Sequence, residues 1–425
     1  CGGVGVTAGQ PRAQLFSSHE TERVLRFVAF DGPLLEACAA ETLIEIERAR
    51  ERERGPGYRV CPVPRADLLP QGRGRGEPGI AQPSFEGMES PVVPAARRRE
   101  GGNWGGRYLR APDLFLELWE RSGDRICRLE DLAEVRFGIK TGHNGFFYLA
   151  DITADASPDL RVRHGVTEAS GLRLCRNGLG HVFPLEALFL QPALRSPRGL
   201  PGPGLRREIL SDCLFTCDAD PEALAGSCAL AYIRWGESRG IHQRPSVRGR
   251  PRWFVVPKVP PPPVIHPLIV YERACAAVNP LGIPCDANLV GIYPRAPGLH
   301  VPLAACLVSS LGVLARELAG IANLGEGALK TNPHYLKRML VPDLRRAPTE
   351  ALSRLGAAFD GVRRLPFPSL ARGEPDVPWR ALDDAVLSLL APHAPGAAAL
   401  REATRRLILA RRAKAASRRD AGAWA

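Results

Sequence analysis

Short apolar runs alternate with turns rich in Gly, Pro and Asn along much of the chain, which is the pattern of short strands. Runs at 24–30, 41–47 and 58–63 predict three strands near the beginning. The next stretch, at 70–106, is rich in Gly, Pro and Arg and predicts a linker or a long loop. Three strands in so few residues look like the edge of a larger sheet.

Helical spacing of apolar residues appears in the remainder of the chain. The predicted helices span 107–121, 128–134, 301–319, 347–363 and 379–414. The helix at 301–319 has an apolar stripe formed by Leu303, Leu307, Leu311, Leu314 and Leu318. Leu336, Met339, Leu340 and Val341 predict a short strand, and the prolines at 260–263 predict a rigid connector in polyproline geometry.

The stretch EVRFGIKTGHNGFFYL, at 134–149, predicts a strand, a loop and a second strand, arranged as a glycine-rich hairpin. Its loop carries one cation and several neutral donors: Lys140, Thr141, His143 and Asn144. No paired carboxylates or activated nucleophile lie nearby, so this chemistry favours contact with a polyanion or a base edge over bond breaking. The alternative is an ordinary surface hairpin, in which His143 is a solvated loop residue.

The composition fits a soluble protein with two or three domains. The chain has 425 residues, of which 45% are apolar, and no run of about 18 apolar residues predicts a membrane span. The 11 cysteines include no Cys-x-x-Cys pair, which favours reduced thiols in a cytoplasmic protein over a zinc site. Cys213 and Cys217 are accordingly predicted to be buried packing residues, and no metal ligand is predicted.

The positive charge is concentrated in two segments. Residues 232–258 hold seven cations against Glu237, a net +6, and residues 401–419 hold eight against Glu402, a net +7, while the whole chain is +12. Focused positive charge attracts the phosphates of nucleic acid. The predicted phosphate contacts are Arg244, Arg248, Arg250 and Arg252, and Arg234 is also predicted to bind DNA.

Aromatic residues interleave with these arginines, where they could stack on bases. For Trp235 and Trp253, however, a role in the core or scaffold is the stronger interpretation. The basic helix near the C-terminus presents either a solvated face or a surface that lies along DNA.

Five motifs in a fixed order resemble a known family. They are NWGGRYLRAPDLFLEL (103–118), LEDLAEVRFGIKTGHNGFFYL (129–149), YIRWGESRGIHQRPSVRGRPRWFVV (232–256), DANLVGIYP (286–294) and LAACLVSSLGVLARELAGIANLGEGALK (303–330), with VPDL (341–344) closing the series. This series resembles the C-terminal part of bacterial site-specific adenine-N6 DNA methyltransferases. In particular it resembles the TaqI-like specificity domain of the fused type II restriction–modification enzymes.

The resemblance implies an α+β fold in four parts. Residues 1–69 would be the last strands of a Rossmann-like methyltransferase sheet, and 70–123 a linker with a bridging helix. Residues 124–345 would form a mixed α/β target recognition domain, followed by a helical region at 346–425.

By this resemblance the partner is double-stranded DNA. Asn144 would read an adenine edge and Lys140 a phosphate or guanine, while Lys330 and Asn332 would contact the backbone. The intact enzyme would use S-adenosylmethionine, but this chain has no Asn/Asp-Pro-Pro-Tyr/Phe loop and no cofactor loop after a strand. We therefore expect no catalytic or cofactor-binding residue in the chain and no activity of the chain alone.

Two other interpretations remain open. The arginine surfaces could dock a separate methylase or nuclease subunit instead of DNA, as in a protein-interaction module. The chain could also be an inactive gene remnant. Salt dependence of duplex binding separates DNA recognition from protein docking.

Overall fold

The computed structural model describes the backbone of six strands within residues 1–94 and then residues 111–422, except 325–326, 374 and 391–394. Side chains are described from 111 to 413, apart from those gaps and 323–324. The chain divides into two compact units, Cys1–Leu116 and Glu117–Ala425.

The first unit contains a six-stranded sheet whose strands follow one another in sequence order, each antiparallel to the next. Its strands are β1 (Gly2–Gly3), β2 (Ala13–Ser17), β3 (Leu25–Ala29), β4 (Leu43–Arg48), β5 (Gly57–Val63) and β6 (Val92–Pro94). The three strands predicted from apolar runs are β3, β4 and β5. A Rossmann-like sheet is mostly parallel, and that detail of the prediction is not confirmed. Apart from β6, the predicted linker at 70–106 lies outside the described residues.

The second unit contains four antiparallel sheets. Its strands are β7 (Ile126–Arg128), β8 (Ala133–Phe137), β9 (Tyr148–Asp151), β10 (Leu172–Asn177), β11 (Val182–Glu186), β12 (Leu190–Ala193), β13 (Asp212–Phe215), β14 (Val264–Pro267), β15 (Ile269–Val270), β16 (Ala277–Val278), β17 (Leu289–Pro294), β18 (Ile321–Leu324), β19 (Ala328–Lys330) and β20 (Leu340–Pro342). The sheet orders are β11-β10-β9-β13-β12, β16-β14-β17-β8, β15-β19-β18 and β20-β7.

The described residues from 111 onward also form helices. They are α1 (Asp113–Ser122), α2 (Leu129–Leu132), α3 (Asn144–Phe147), α4 (Pro158–Arg163), α5 (Cys228–Ser238), α6 (His300–Val308), α7 (Ser310–Ala319), α8 (Pro333–Leu336), α9 (Thr349–Val362), α10 (Val377–Leu387) and α11 (Ala397–Gly422). The combination of helices and antiparallel sheets confirms the predicted α+β class. Helix α1 begins directly after Pro112, and the predicted helical residues 107–110 lie outside the described part.

The helix predicted at 301–319 is two helices, α6 and α7, bent by 74° at Ser309. Ser309 is extended at φ −66° and ψ 164°, and its hydroxyl oxygen accepts the N–H of Gly312 at 3.2 Å, which starts a new helix. A Cβ on Gly312 would lie 2.1 Å from the carbonyl oxygen of Cys306, so glycine permits this bend. The predicted leucine stripe is buried throughout.

Other predicted boundaries shift by a few residues. The single helix predicted at 379–414 is divided into α10 and α11, while the helix predicted at 347–363 is α9. The predicted closing strand is β20, whereas Leu336 ends α8. Among the described residues, no single helix is both long and apolar enough to cross a membrane. The bent pair of α6 and α7 meets that criterion only when the two are joined.

A buried aromatic cluster forms the core beneath the five-stranded sheet. Phe146 stacks on Tyr232 of α5 with ring centroids 4.4 Å apart, and Phe215 of β13 meets Tyr232 edge-on at 5.4 Å. The Tyr232 hydroxyl donates to the carbonyl oxygen of Phe146 at 2.7 Å. This cluster therefore fixes the end of the segment that connects β8 to β9.

Candidate nucleic-acid interface

The segment at 138–147, called here the glycine loop, connects strands of two different sheets. Strand β8 pairs with β17, whereas β9 pairs with β10 and β13. The prediction of strand, loop and strand is confirmed, but the predicted hairpin is wrong, because the two strands do not pair with each other. The loop therefore bridges two sheets.

The start of the glycine loop is fixed by backbone contacts with the segment at 285–287. Ile139 donates its N–H to the carbonyl oxygen of Cys285 at 2.7 Å, and Ala287 donates to that of Ile139 at 3.1 Å. A Cβ on Gly138 would lie 2.3 Å from the carbonyl oxygen of Asp286. This close approach needs glycine at 138.

A buried polar chain holds the middle of the loop. Thr141, only 1% exposed, donates its hydroxyl to Oδ1 of Asn144 at 2.5 Å. Nδ2 of Asn144 donates to Oδ2 of Asp286 at 3.0 Å. Burial raises the pKa of the Asp286 carboxyl. The hydrogen bonds that this carboxyl accepts from the backbone N–H of Asn288 and from the Asn144 amide oppose that rise.

Both ends of the Asn144 amide are thus engaged inside the protein, and the Thr141 side chain is buried. A bidentate contact of Asn144 with adenine needs the amide oxygen and nitrogen together. The predicted DNA contacts of Thr141 and Asn144 stay predictions that would require these internal bonds to break.

His143 is the N-cap of the short helix α3. Its Nδ1 accepts the backbone N–H of Phe146 at 3.0 Å, which satisfies a donor that the helix leaves unpaired. Burial and then the nearby charge of Arg244 lower the His143 pKa, which favours the neutral imidazole. His143 is therefore a structured, half-buried residue.

The residues at 239–252, called here the arginine segment, are fastened onto the glycine loop. The Ser246 hydroxyl donates to the carbonyl oxygen of Gly142 at 2.8 Å. Arg250 donates through Nη2 to the carbonyl oxygen of Lys140 and through Nη1 to that of Val255, both at 3.1 Å. Burial lowers the Arg250 pKa. Arg250 thus serves as an internal brace, and its predicted phosphate contact stays a prediction.

Gly142 makes this fastening possible. Its φ of +86° lies in the region that favours glycine, and a Cβ there would be 2.6 Å from Cγ1 of the fully buried Val247. Any side chain at 142 would therefore push the arginine segment away from the loop.

The fastening leaves cations exposed on the two joined segments. Lys140, Arg244 and Arg248 are exposed, and the effect of Arg244 on the His143 pKa shows that these two side chains are close. Arg234 is exposed on α5, where the neighbouring Arg239 lies over the Trp235 ring at 5.8 Å. The glycine loop, the arginine segment and α5 thus each carry exposed positive charge.

Three other predicted DNA contacts either pair with an acidic residue or lie on other elements of the fold. Arg252 pairs with Asp220 at 2.7 Å. Lys330 ends β19 in the three-stranded sheet, and Asn332 caps α8 by accepting the N–H of Tyr335 at 3.2 Å. Lys330 and Asn332 thus belong to elements outside the glycine loop and the arginine segment, and their DNA contacts stay untested predictions.

In the basic C-terminal segment, arginines with described side chains form ion pairs. Five of them do so, namely Arg401 with Asp383, Arg405 and Arg406 with Glu402, Arg411 with Glu317, and Arg412 with Glu272. Three of these partners, Asp383, Glu317 and Glu272, lie far away in the sequence and reduce the net +7 of the segment to +4.

The tryptophans among the arginines are part of the scaffold, as the stronger interpretation held. Trp253 lies 4.9 Å from the Phe146 ring, and Trp235 is stacked on Tyr232 at 5.6 Å. Trp253 also donates Nε1–H to Glu237 at 3.1 Å. Base stacking on these two rings would disrupt the aromatic core.

The cysteines predicted to be packing residues are buried to different degrees. Cys217 is buried in the aromatic core, and Cys213 is half-buried in β13. Burial raises the pKa of both thiols, to about 11 for Cys213. Neither thiol is therefore prepared for nucleophilic chemistry.

Asp286 and Ser246 are the residues of this site that the sequence interpretation missed. Asp286 lies 142 residues from Asn144, and no local pattern links them. The motif Asp286-Ala287-Asn288 does carry the signal of a turn, because an Asp oxygen accepts the N–H two residues on.

Comparisons with known proteins give a matching family model and matches among solved structures. Residues 206–363, which include the arginine segment, match the C-terminal domain of the type II methyltransferase M.Eco57I. The comparison with curated proteins gave no match. Among solved structures, the chain is similar to the type IIG restriction endonuclease BpuSI, with a TM-score of 0.47 and 14% identity.

The BpuSI match covers 73% of this chain and 33% of that chain, so this chain spans about a third of the length of BpuSI. The M.Eco57I match confirms the predicted similarity to the C-terminal part of a type II methyltransferase. The TaqI-like and adenine-N6 details stay predictions.

Proposed function

We propose that this chain reads a specific sequence in double-stranded DNA, as the target recognition part of an adenine-N6 DNA methyltransferase from a restriction–modification system. The similarity of residues 206–363 to a type II methyltransferase domain supports this proposal. The exposed cations on the joined glycine loop and arginine segment support it independently, because clustered cations bind phosphates.

One observation carries the proposal: the fastening of the arginine segment to the glycine loop. Ser246 and Arg250 hold the two segments together through carbonyl oxygens of the loop. The side chains of Lys140, Arg244 and Arg248 are left exposed. An arrangement with braced backbones and exposed cations suits a partner of fixed shape and negative charge, such as a duplex.

The methyl transfer itself belongs, on this proposal, to the intact enzyme. Transfer from S-adenosylmethionine to adenine needs a polar loop that holds the exocyclic amine of a flipped base. This chain has no Asn/Asp-Pro-Pro-Tyr/Phe tetrapeptide. We therefore expect the chain alone to bind duplex DNA and to transfer no methyl group.

The test is duplex binding between about 50 and 200 mM salt, where several phosphate contacts weaken affinity by orders of magnitude. Arg244→Ala together with Arg248→Ala should lower the slope of log affinity against log salt by about 2, because each phosphate contact contributes about 0.9.

The matched control is Arg405→Ala with Arg406→Ala, which removes two arginines that pair with Glu402 on α11. We expect this control to leave the slope unchanged. Wild-type affinity that is flat across this salt range, or equal slopes for both double variants, would show that the joined segments do not bind DNA. A flat salt response together with binding to a methylase or nuclease subunit would instead favour the protein-docking alternative.

A further inference from the structure

His143 differs from its neighbours in the glycine loop because its ring is fixed while one edge remains unused. Nδ1 accepts the N–H of Phe146, whose side chain is completely buried in the aromatic core. The ring also lies against Gly145, where a Cβ would come within 3.1 Å of Cε1. The imidazole therefore has little freedom to turn.

Gly145 is in turn held from its other side. Gly178, in the turn between β10 and β11, donates its N–H to the carbonyl oxygen of Gly145 at 2.9 Å. A Cβ on Gly178 would lie 2.9 Å from the Cα of Gly145. Two backbones thus meet directly behind the His143 ring, which makes its support rigid.

The hydrogen bond to Nδ1 decides which ring nitrogen carries the proton. In a neutral imidazole one nitrogen accepts and the other donates. Because Nδ1 accepts from Phe146, Nε2 must carry the hydrogen. Among the described residues, no hydrogen-bond partner of Nε2 is present, and the atom is not enclosed.

We propose that His143 is a specificity-determining residue, which donates Nε2–H to an acceptor atom on a base edge in the major groove. This inference rests on the proposed function. It deepens that function by assigning base reading to a neutral donor and phosphate binding to Lys140, Arg244 and Arg248 beside it.

The chemistry of the neighbours supports this division. Lys140 and Arg244 carry full charges, which suit phosphates, whereas a neutral donor gains little from a phosphate over water. Asn144, the other amide or imidazole in the loop, has both ends engaged by Thr141 and Asp286. His143 therefore provides the one oriented neutral donor among the described side chains of the loop. Its possible acceptors are purine N7, guanine O6 and thymine O4.

The variants separate support of the fold from base reading. Serine is a good N-cap but is too short to reach a base, whereas alanine provides neither function. We expect His143→Ser to keep the melting temperature of the wild type and His143→Ala to lower it by a few degrees. Both should lose the preference at one base-pair position.

The probe is a library of duplexes with randomised sequence, from which the full chain selects its preferred site. The wild type should show a preference at one base-pair position, and His143→Ser should reduce that preference by about 2- to 13-fold, the range for one neutral hydrogen bond. The salt slope should stay unchanged, because a neutral residue releases no counterion.

Base analogues then identify the acceptor. A duplex with 7-deazapurine, which lacks N7, or with 2-aminopurine, which lacks guanine O6, should weaken the wild type and leave His143→Ser unaffected. A methylphosphonate removes the charge of one phosphate. If this change weakens binding by the wild type and not by His143→Ser, while no base analogue does so, His143 contacts the backbone and the inference is wrong.

An independent measurement uses the protein without DNA. Imidazole ¹⁵N shifts should show Nε2 protonated and Nδ1 unprotonated in His143, and protonation at Nδ1 would overturn the inference. Salt-dependent DNA binding with no relaxed position in His143→Ser would overturn it while leaving the proposed function intact. Failure of the wild type to bind DNA would overturn both.

Discussion

Replacement of Arg250 by alanine tests whether this residue holds the glycine loop in place or contacts a DNA phosphate. The guanidinium donates to the carbonyl oxygens of Lys140 and Val255, and it lies over the Phe147 ring at 6.0 Å. Hydrogen bonds to charged groups stabilise by about 1.5–3 kcal/mol each. Because the Lys140 contact is exposed, we count only the part-buried contact with Val255 and expect Arg250→Ala to lower the free energy of unfolding by about 2 kcal/mol.

The assay is urea unfolding combined with duplex binding over a range of salt. Arg248 is exposed two residues earlier, so Arg248→Ala should change the free energy of unfolding by less than about 0.5 kcal/mol. It should nevertheless lower the salt slope of DNA binding by about 0.9. Arg250→Ala should do the reverse, with a large loss of stability and a nearly unchanged salt slope.

Arg250→Lys provides the intermediate case. A lysine can reach one of the two carbonyl oxygens but lacks the planar fork that reaches both. We expect it to recover part of the lost stability. Full stability of Arg250→Ala, together with a slope reduced as in Arg248→Ala, would show that Arg250 contacts phosphate and does not hold the loop.

Two further predictions concern the buried charges of the second unit. Arg411 and Glu317 are 8% and 2% exposed and pair at 2.8 Å, while Arg316 lies 4.0 Å from the same carboxylate. Arg411→Met should lower the free energy of unfolding by about 3 kcal/mol, the lower end for a broken buried pair, because the buried anion loses its nearer cation and keeps Arg316. Adding Glu317→Gln should recover part of that loss in urea unfolding, and equal stability of the single and double variants would contradict this account. His266 is completely buried, and its pKa is lowered from 6.5 to about 3, mainly by desolvation and also by the nearby charge of Arg316. Because the folded pKa is depressed, stability is complete above about pH 6.5 and should fall by up to about 1.4 kcal/mol per pH unit towards pH 3, a slope that His266→Gln should reduce.

The sequence predicted those features that depend on neighbouring residues. The apolar runs predicted β3, β4, β5 and the two strands around the glycine loop, since a strand shows its alternation locally. The leucine stripe at 303–318 was likewise visible from helical spacing. The bend at Ser309 was not, because a serine inside an apolar helix and a serine that caps a new helix look alike in sequence.

The remaining features depend on partners far along the chain. The predicted hairpin failed because β8 pairs with β17, which is about 150 residues away, more favourably than with β9. Thr141 and Asn144 are predicted as DNA contacts from their loop position, but Thr141 donates to Asn144, and Asn144 donates to the buried Asp286. Charge counting along 401–419 missed Glu317 and Glu272 for the same reason.

The separation between anchored and outward-facing positions in the glycine loop has a consequence for engineering. Thr141, Asn144 and Asp286 secure the backbone from within. The outward side chains at 140, 244 and 248 are therefore open to exchange, and position 143 tolerates residues able to cap α3. A library restricted to these four sites should yield folded proteins with altered sequence preferences, without redesign of either sheet.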